Sequence, residues 1–266
     1  MSHEPVEASQ GWGVLHLFFA VDHDAADREA GGAKQILEAI DTFCAVAPHQ
    51  ARTFAVLGHK ADLGIMAVGP DLARLQALQH DLTRGPLRLT WSYVSLTESS
   101  EYAATEDDER ARLLEEESLT DRAEIEARLA TWRERIDHYR EQRIHPTLPE
   151  RRMLCFYPMS KRRGAGPGDD NWYALPFDER KHLMAGHARV GRTFAGRVVQ
   201  LITGSTGIDD WEWGVTLFAD DPDVLKEIVY EMRFDEVSAR YADFGAFVTG
   251  LVLDPSEALR RVGLDA

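Results

Sequence analysis

The chain has 266 residues, 44% of them hydrophobic and 28% charged, with a formal net charge of −15. That is enough apolar mass for one large core or two small ones, and the acid excess lacks the basic footprint of a general nucleic-acid binder. The two cysteines, Cys44 and Cys155, lie in apolar runs and are expected as small core residues in a reducing compartment, and no Cys/His group has zinc-site spacing.

The polar, acidic start MSHEPVEASQ does not read as a signal peptide. No run approaches the ~20 apolar residues of a membrane span, so a cytoplasmic location is expected. Aromatic and β-branched residues are dense in WGVLHLFFAV (Trp12–Val21), which predicts a buried strand. Ala33–Val46 carries Ile36, Leu37, Ile40, Phe43 and Cys44 at helical spacing. RTFAVLG (Arg52–Gly58) and LGIMAVG (Leu63–Gly69) are strands joined by a tight HKAD connection. Pro70 and Asp71 open a helix with leucines at 72, 75, 78 and 82, and LTWSYVSLTE (Leu89–Glu98) is a strand.

The same β-α-β-β-α-β order then repeats. MLCFYPM (Met153–Met159) is a strand, Phe177–Val190 a helix, and Gly196–Gly204 and Trp211–Ala219 are strands. Asp221–Met232 is a helix opened by Asp221 and Pro222, and Asp243–Val252 is the last strand. The clearest internal echo sets HKADLGIMAVGPDLARLQAL, from His59, beside DDWEWGVTLFADDPDVLKEI, from Asp209. Two such units predict an α+β fold, with duplicated ferredoxin-like repeats joined in a dimeric α/β barrel-like core. Residues 1–100 are the N-terminal repeat, 101–150 an acidic helical linker and 151–266 the C-terminal repeat that carries the site. The linker opens with Glu106, Asp107, Asp108 and Glu109, expected as a solvated face. From Asp121 it reads as a helix with Ile125, Leu129, Trp132, Ile136 and Tyr139 on one side.

Candidate chemistry gathers between Cys155 and Arg192, where a phenol, a basic loop and an imidazole share one βα unit. Strand alternation puts Tyr157 with Cys155 on one face and Phe156 on the other. A tyrosine there can pack, relay a proton or lose an electron, and pattern alone does not choose. His187 shares a helical face with Leu183, Met184 and Val190, an apolar setting that suits an axial haem ligand. A core histidine with one satisfied nitrogen explains the same pattern. Lys161, Arg162 and Arg163 precede GAGPGDDN, whose glycines and proline predict a mobile cover over residues 162–170, or simply a solvated basic loop. GAGPG lacks the strand–Gly-x-Gly-x-x-Gly–helix context of a dinucleotide site. Arg233 and Ser238 can hold a carboxylate, though an arginine at a helix end also answers the dipole. Gln200, inside a strand, either bonds within the core or faces a ligand.

The second half resembles the chlorite dismutase superfamily, and within it the coproheme decarboxylases of the Gram-positive type. FYPMSKRR, DNWYALPFDER, GHARVGR, QLITGSTGIDDWEWGVTLFADDP and YEMRFDEVSARYADFG carry the resemblance over most of residues 155–250. GWGVLHLF, GHKAD and SYVSLTE extend it more loosely to the first half, and the acidic insert near 103–125 is atypical. The resemblance implies a homopentamer. It implies that iron coproporphyrin III (coproheme) is both substrate and redox centre, converted by hydrogen peroxide to haem b as two propionates leave as CO2. It further implies His187 as the iron ligand, Tyr157 as the residue whose radical attacks a propionate β-carbon, and Lys161 as a propionate holder beside Met159. Arg143, Arg233 and Ser238 are the implied further propionate partners, and Gln200 the distal residue. Chlorite dismutases have an arginine where Gln200 stands, which argues against chlorite chemistry. The distal histidine base of another decarboxylase branch has no counterpart. His187 has no carboxylate partner evident in sequence, which implies a modest donor. A ferrochelatase would hand over the substrate. A haem carrier or sensor without turnover, and a peroxidase-like activity, are the alternatives.

Overall fold

A computed structural model describes residues 4–28, 31–166 and 168–265. The first residues of the polar N-terminus and Pro167 of the basic loop lie outside them. The first half comprises β1 (Gly13–Val21), α1 (His23–Arg28), α2 (Gly32–Cys44), β2 (Gln50–Val56), β3 (Leu63–Gly69), α3 (Leu72–Leu82) and β4 (Leu87–Thr97). A hairpin of α4 (Glu106–Glu115) and α5 (Arg122–Ile144) follows. The second half begins with β5 (Met153–Lys161), a 3-10 turn at Trp172–Ala174, α6 (Phe177–Arg192), β6 (Val198–Gly204) and β7 (Trp213–Ala219). It ends with α7 (Pro222–Met232), α8 (Glu236–Tyr241), β8 (Ala242–Phe244), β9 (Val248–Leu253) and α9 (Pro255–Arg261).

The expected α+β class with duplicated units is found. All strand pairs are antiparallel, in the order β7-β6-β4-β1-β3-β2-β9-β5-β8, and β5 also pairs with β7. That further pairing closes a ring. One half contributes β4-β1-β3-β2 and the other β9-β5-β7-β6, the same arrangement twice. The halves meet where β4 pairs with β6 and where β2 pairs with β9.

Side-chain alternation divides the apolar residues among three cores. On the outer face of the first half, Leu15, Leu17, Phe19 and Ile65 pack against Ile36, Ile40 and Phe43 of α2 and Leu75 and Leu78 of α3. Inside the ring lie Val14, Phe18, Phe54, Met66, Tyr93, Phe156 and Phe218. On the outer face of the second half, Cys155, Tyr157, Val215 and Leu217 meet Val224, Leu225 and Ile228 of α7. Phe156 inside and Tyr157 outside is the division that alternation predicts.

Several expectations change. The strand expected over Asp243–Val252 is two strands, β8 and β9. Met153–Phe156 of β5 pairs with β9, and Met159–Lys161 pairs with β8. Pro158 lies between and has no N–H to give. Its carbonyl instead accepts the Gly245 N–H at 2.8 Å, so the partner strand breaks there. Cys44 is exposed, not a core residue, because it sits on the last turn of α2, at the margin of the stripe that buries Ile36, Ile40 and Phe43. The acidic run is helical, and its carboxylates lie at the surface: Asp107 is exposed, and Glu106, Asp108 and Glu109 are half-buried. Thr105 and Asp108 form a reciprocal cap at the start of α4, where acidic residues suit the helix dipole. Leu113 is buried against Ile125 and Leu129 of α5, but burial along α5 stops at Trp132 and Tyr139 is exposed. Among the described residues no helix is long and apolar enough to cross a membrane.

Candidate functional site

A cavity of about 400 Å³ opens between the outer face of the second half's sheet and its helices. Strand period places Tyr157, Met159 and Lys161 of β5 on that face, with Gln200 and Ile202 of β6 and Trp213, Val215 and Leu217 of β7. The opposite wall is Met184 and His187 of α6, Ile228, Val229 and Met232 of α7, and Ser238 of α8. Residues 98–102, after β4, and Arg143 at the end of α5 complete the rim. Seven of the eight candidate residues therefore share one space: Tyr157, Lys161, Arg143, Met159, Gln200, Ser238 and His187. Arg233 does not line it. Its guanidinium lies over the Phe244 ring, 4.2 Å from the centroid, and faces a neighbouring groove lined also by Phe247 and Tyr230.

His187 has the carboxylate partner that its local sequence does not reveal. Its Nδ1 lies 2.7 Å from Oδ2 of Asp235, which also accepts the Ser238 N–H at 3.0 Å as the cap of α8. Burial alone would raise the Asp235 carboxyl, but the His187 hydrogen bond and charge and the Ser238 contact outweigh it and hold the group below its usual range. Asp235 thus fixes the ring orientation, leaves Nε2 as the free nitrogen and makes the imidazole a stronger donor. The expectation of a modest, unsupported histidine is corrected. The reason is distance in sequence: the partner stands 48 residues on.

Lys161 is buried, at 9% exposure. Its Nζ sits over the Trp172 ring, 4.4 Å from the centroid, and its N–H donates to Glu212 Oε2 at 2.7 Å. Burial pulls the ammonium down to about 8, against the opposing charges of Asp235 and Glu212. Arg143 donates only to the Glu98 carbonyl, at 3.4 Å from both Nε and Nη2, and no carboxylate pairs with it among the described residues. Among the described residues, two cations on the cavity thus lack a directly paired anion, which suits a carboxylate-bearing ligand. Tyr157 is buried against Phe247, with ring centroids 4.3 Å apart, and burial pushes its phenol up, so it stays protonated at neutral pH.

The basic loop is not a loose cover. Arg162 pairs with Asp243 at 2.9 Å, Asp170 with Arg240 at 2.7 Å, and the Asn171 side chain donates to the Gly164 carbonyl at 3.0 Å. Of its three cations only Lys161 reaches the cavity. Sequence reading missed Trp172, Tyr173, Trp213 and Glu98 in the walls. The first two stand in DNWYALPF beside the loop, where adjacent aromatics were the available signal. Glu98 is fixed by the Trp213 indole N–H at 3.1 Å. The histidine that the core absorbs is His16, fully buried 2.9 Å from the Thr216 hydroxyl, with burial lowering its pKa to about 3.

Apolar walls, one backed imidazole and cations at the edges fit a flat, metal-bearing macrocycle with carboxylate arms. No group of three His, Cys, Asp or Glu side chains among the described residues could hold a bare metal ion. Comparison with known proteins agrees in kind. A family profile described as chlorite dismutase matches residues 30–253. A candidate haem-binding protein of Natronomonas pharaonis is 40% identical over 96% of this chain, which spans only 41% of that relative's length. A solved haem-binding protein from Thermus thermophilus is 34% identical with a TM-score of 0.77, covering 99% of this chain and 100% of its own. Chlorite dismutase from Candidatus Nitrospira defluvii, in complex with imidazole, is 14% identical with a TM-score of 0.69 over 96% of each chain, a likeness of fold.

Proposed function

The chain belongs to the chlorite dismutase family, and on that premise we propose that it is a peroxide-dependent decarboxylase of iron coproporphyrin III. The observation that carries the proposal is the company of groups in one cavity: carboxylate-backed His187, buried Lys161, unpaired Arg143 and protonated Tyr157. His187 Nε2 would bind the iron. Lys161 and Arg143 would pair with propionates, and Ser238 would donate a hydrogen bond to another. Arg233 can join them only by leaving the Phe244 face. Met159 and Ile202 would pack against the ring, with Gln200 on the wall opposite His187.

When bound, the iron porphyrin supplies the oxidising power of peroxide. Each propionate, with one H2O2 and one proton, gives a vinyl group, CO2 and two waters. Tyr157 enters as the neutral phenol, because burial raises its pKa, so it would give up a proton as well as an electron to that oxidant. The phenoxyl would take a hydrogen atom from the propionate β-carbon and return to the phenol. The second electron would go to the same peroxide-derived oxidant, and the bond to the carboxylate carbon would break to give the vinyl group and CO2. Lys161 keeps that carboxylate in register with Tyr157, and such orientation removes a large part of the barrier.

The test is to add coproheme, titrate peroxide and follow the two CO2 losses by chromatography and mass. Tyr157→Phe is expected to bind coproheme and yield little haem b; normal yield would remove Tyr157 from the chemistry. The names of the two haem-binding relatives favour a second reading, a haem carrier without turnover. It predicts tight haem b binding and no mass loss. Gln200, in place of an arginine, weighs against chlorite chemistry. A homopentamer and transfer from a ferrochelatase belong to the same proposal, and sedimentation and pull-down of the loaded enzyme test them.

A further inference from the structure

α6 carries His187, yet none of its residues is buried. One side faces the cavity, and it packs on α7 and α8, with Leu183 and Met184 against Trp172, Val237 and Tyr241. A second set of contacts comes from outside the cavity. Lys181 Nζ donates to both oxygens of Asp108 on α4, at 2.7 Å each. Asp108 is already fixed, because its Oδ2 accepts the Thr105 N–H and hydroxyl at 2.7 Å each. An ion pair formed by a pre-ordered carboxylate loses less side-chain entropy than a free surface pair. Six residues earlier, Tyr102 stacks on Phe177, the first residue of α6, with centroids 5.8 Å apart.

The same first turn of α4 is tied to α5: Glu106 takes two hydrogen bonds from Arg133 on α5, at 2.6 and 2.8 Å. At the C-terminal end of α5 the Thr97 hydroxyl donates to the Ile144 carbonyl at 2.6 Å. Arg143, next to that bond, lines the cavity. One hairpin therefore grips the His187 helix with its first turn and presents Arg143 with its last.

We propose that the α4–α5 hairpin is a strap that fixes α6 over the cavity, and that Asp108 is a positioning residue acting on His187 through Lys181. The acidic insert then sets the spacing between the imidazole and Arg143, and with it the span of ligand the cavity accepts. In its consequence for ligand binding the proposal rests on His187 as iron ligand; in its mechanical part it does not.

Hydrogen exchange of the full chain without ligand tests the mechanical part. Lys181→Met, and Asp108→Asn, which keeps an oxygen for the Thr105 cap, are each expected to speed exchange over 177–192 by about 2- to 5-fold, the scale of a surface pair. Exchange in β1 and β3 should not change, and Lys181→Arg should restore the wild-type rate. In the loaded protein, coproheme dissociation should quicken by a similar factor. High salt should bring the wild type towards Lys181→Met and leave that variant unmoved. Unchanged α6 exchange in both variants overturns the strap. So does a rise spread equally over the strands, which marks lost global stability instead. His187→Ala tests the ligand reading separately: an unchanged iron spectrum in that variant sinks it, while faster α6 exchange in Lys181→Met still supports the strap.

Discussion

The two halves fold the same unit and use its outer face differently. In the first half, α2 buries Ile36, Ile40 and Phe43 on Leu15, Leu17 and Phe19 of β1, and the space between helix and sheet is filled. In the second half, the matching strand offers Tyr157, Met159 and Lys161, and α6 buries nothing. The first half gains the stability of a closed apolar core. The second leaves that space as the cavity and holds its helix at the edges, by Asp235, by the Trp172 cluster and by Lys181 with Asp108. A duplicated fold can thus keep one copy as support and open the other as a site.

Substitutions should separate the halves. Leu17→Ala is expected to cost about 2–5 kcal/mol in denaturant unfolding, as for a filled core; Met184→Ala, on the cavity wall, should cost about 1 kcal/mol or less. Equal losses would break the comparison. His187→Ala should cost about 1–2 kcal/mol in unfolding, the scale of its hydrogen bond to Asp235, and weaken coproheme binding by more than the ~10–100-fold that losing an outer partner costs, read from the Soret band. Asp235→Asn, which still caps α8, should weaken binding by about 10-fold or more and raise the reduction potential of the bound iron, measured by spectroelectrochemistry.

The smallest effect is the pH dependence of Lys161. Burial pulls its ammonium from the ordinary lysine value of 10.5 down to about 8 in the folded chain. Carboxylate binding should therefore weaken as pH rises through about 8. Between these values the unfolded chain holds the proton that the folded chain has lost, so the stability of the ligand-free protein should rise over that range. Lys161→Met should flatten both profiles. A binding profile unchanged by that substitution would take Lys161 out of the carboxylate site.

Much of this was legible in the sequence because it is local. Period-two alternation set Tyr157 and Phe156 on opposite faces, and the βαββαβ order appeared twice. What stayed hidden depends on contacts across the chain. Asp235 reaches His187, and Glu212 reaches the Lys161 backbone, over 48 and 51 residues. No local pattern encodes such meetings. The break between β8 and β9 was hidden for a related reason: its cause, Pro158, lies in the partner strand. The acidic run was expected as a solvated face, and composition does not say which of its carboxylates meets a cation across the chain. Only the fold reveals that Asp108 meets Lys181, and that Arg233 turns to Phe244 rather than to the cavity.

Closure of the sheet bears on how such a molecule could arise. β4 and β2 of the first half meet β6 and β9 of the second, so the fourth strand of each unit pairs with the second strand of the other. A lone unit would expose both of those edges and invite association. Two identical copies would satisfy them about a twofold axis, the commonest symmetry of protein pairs. The ring thus has the shape of a symmetric pair of subunits written into one polypeptide. In a single chain the two units need not be identical, so a substitution that opens one leaves the other closed.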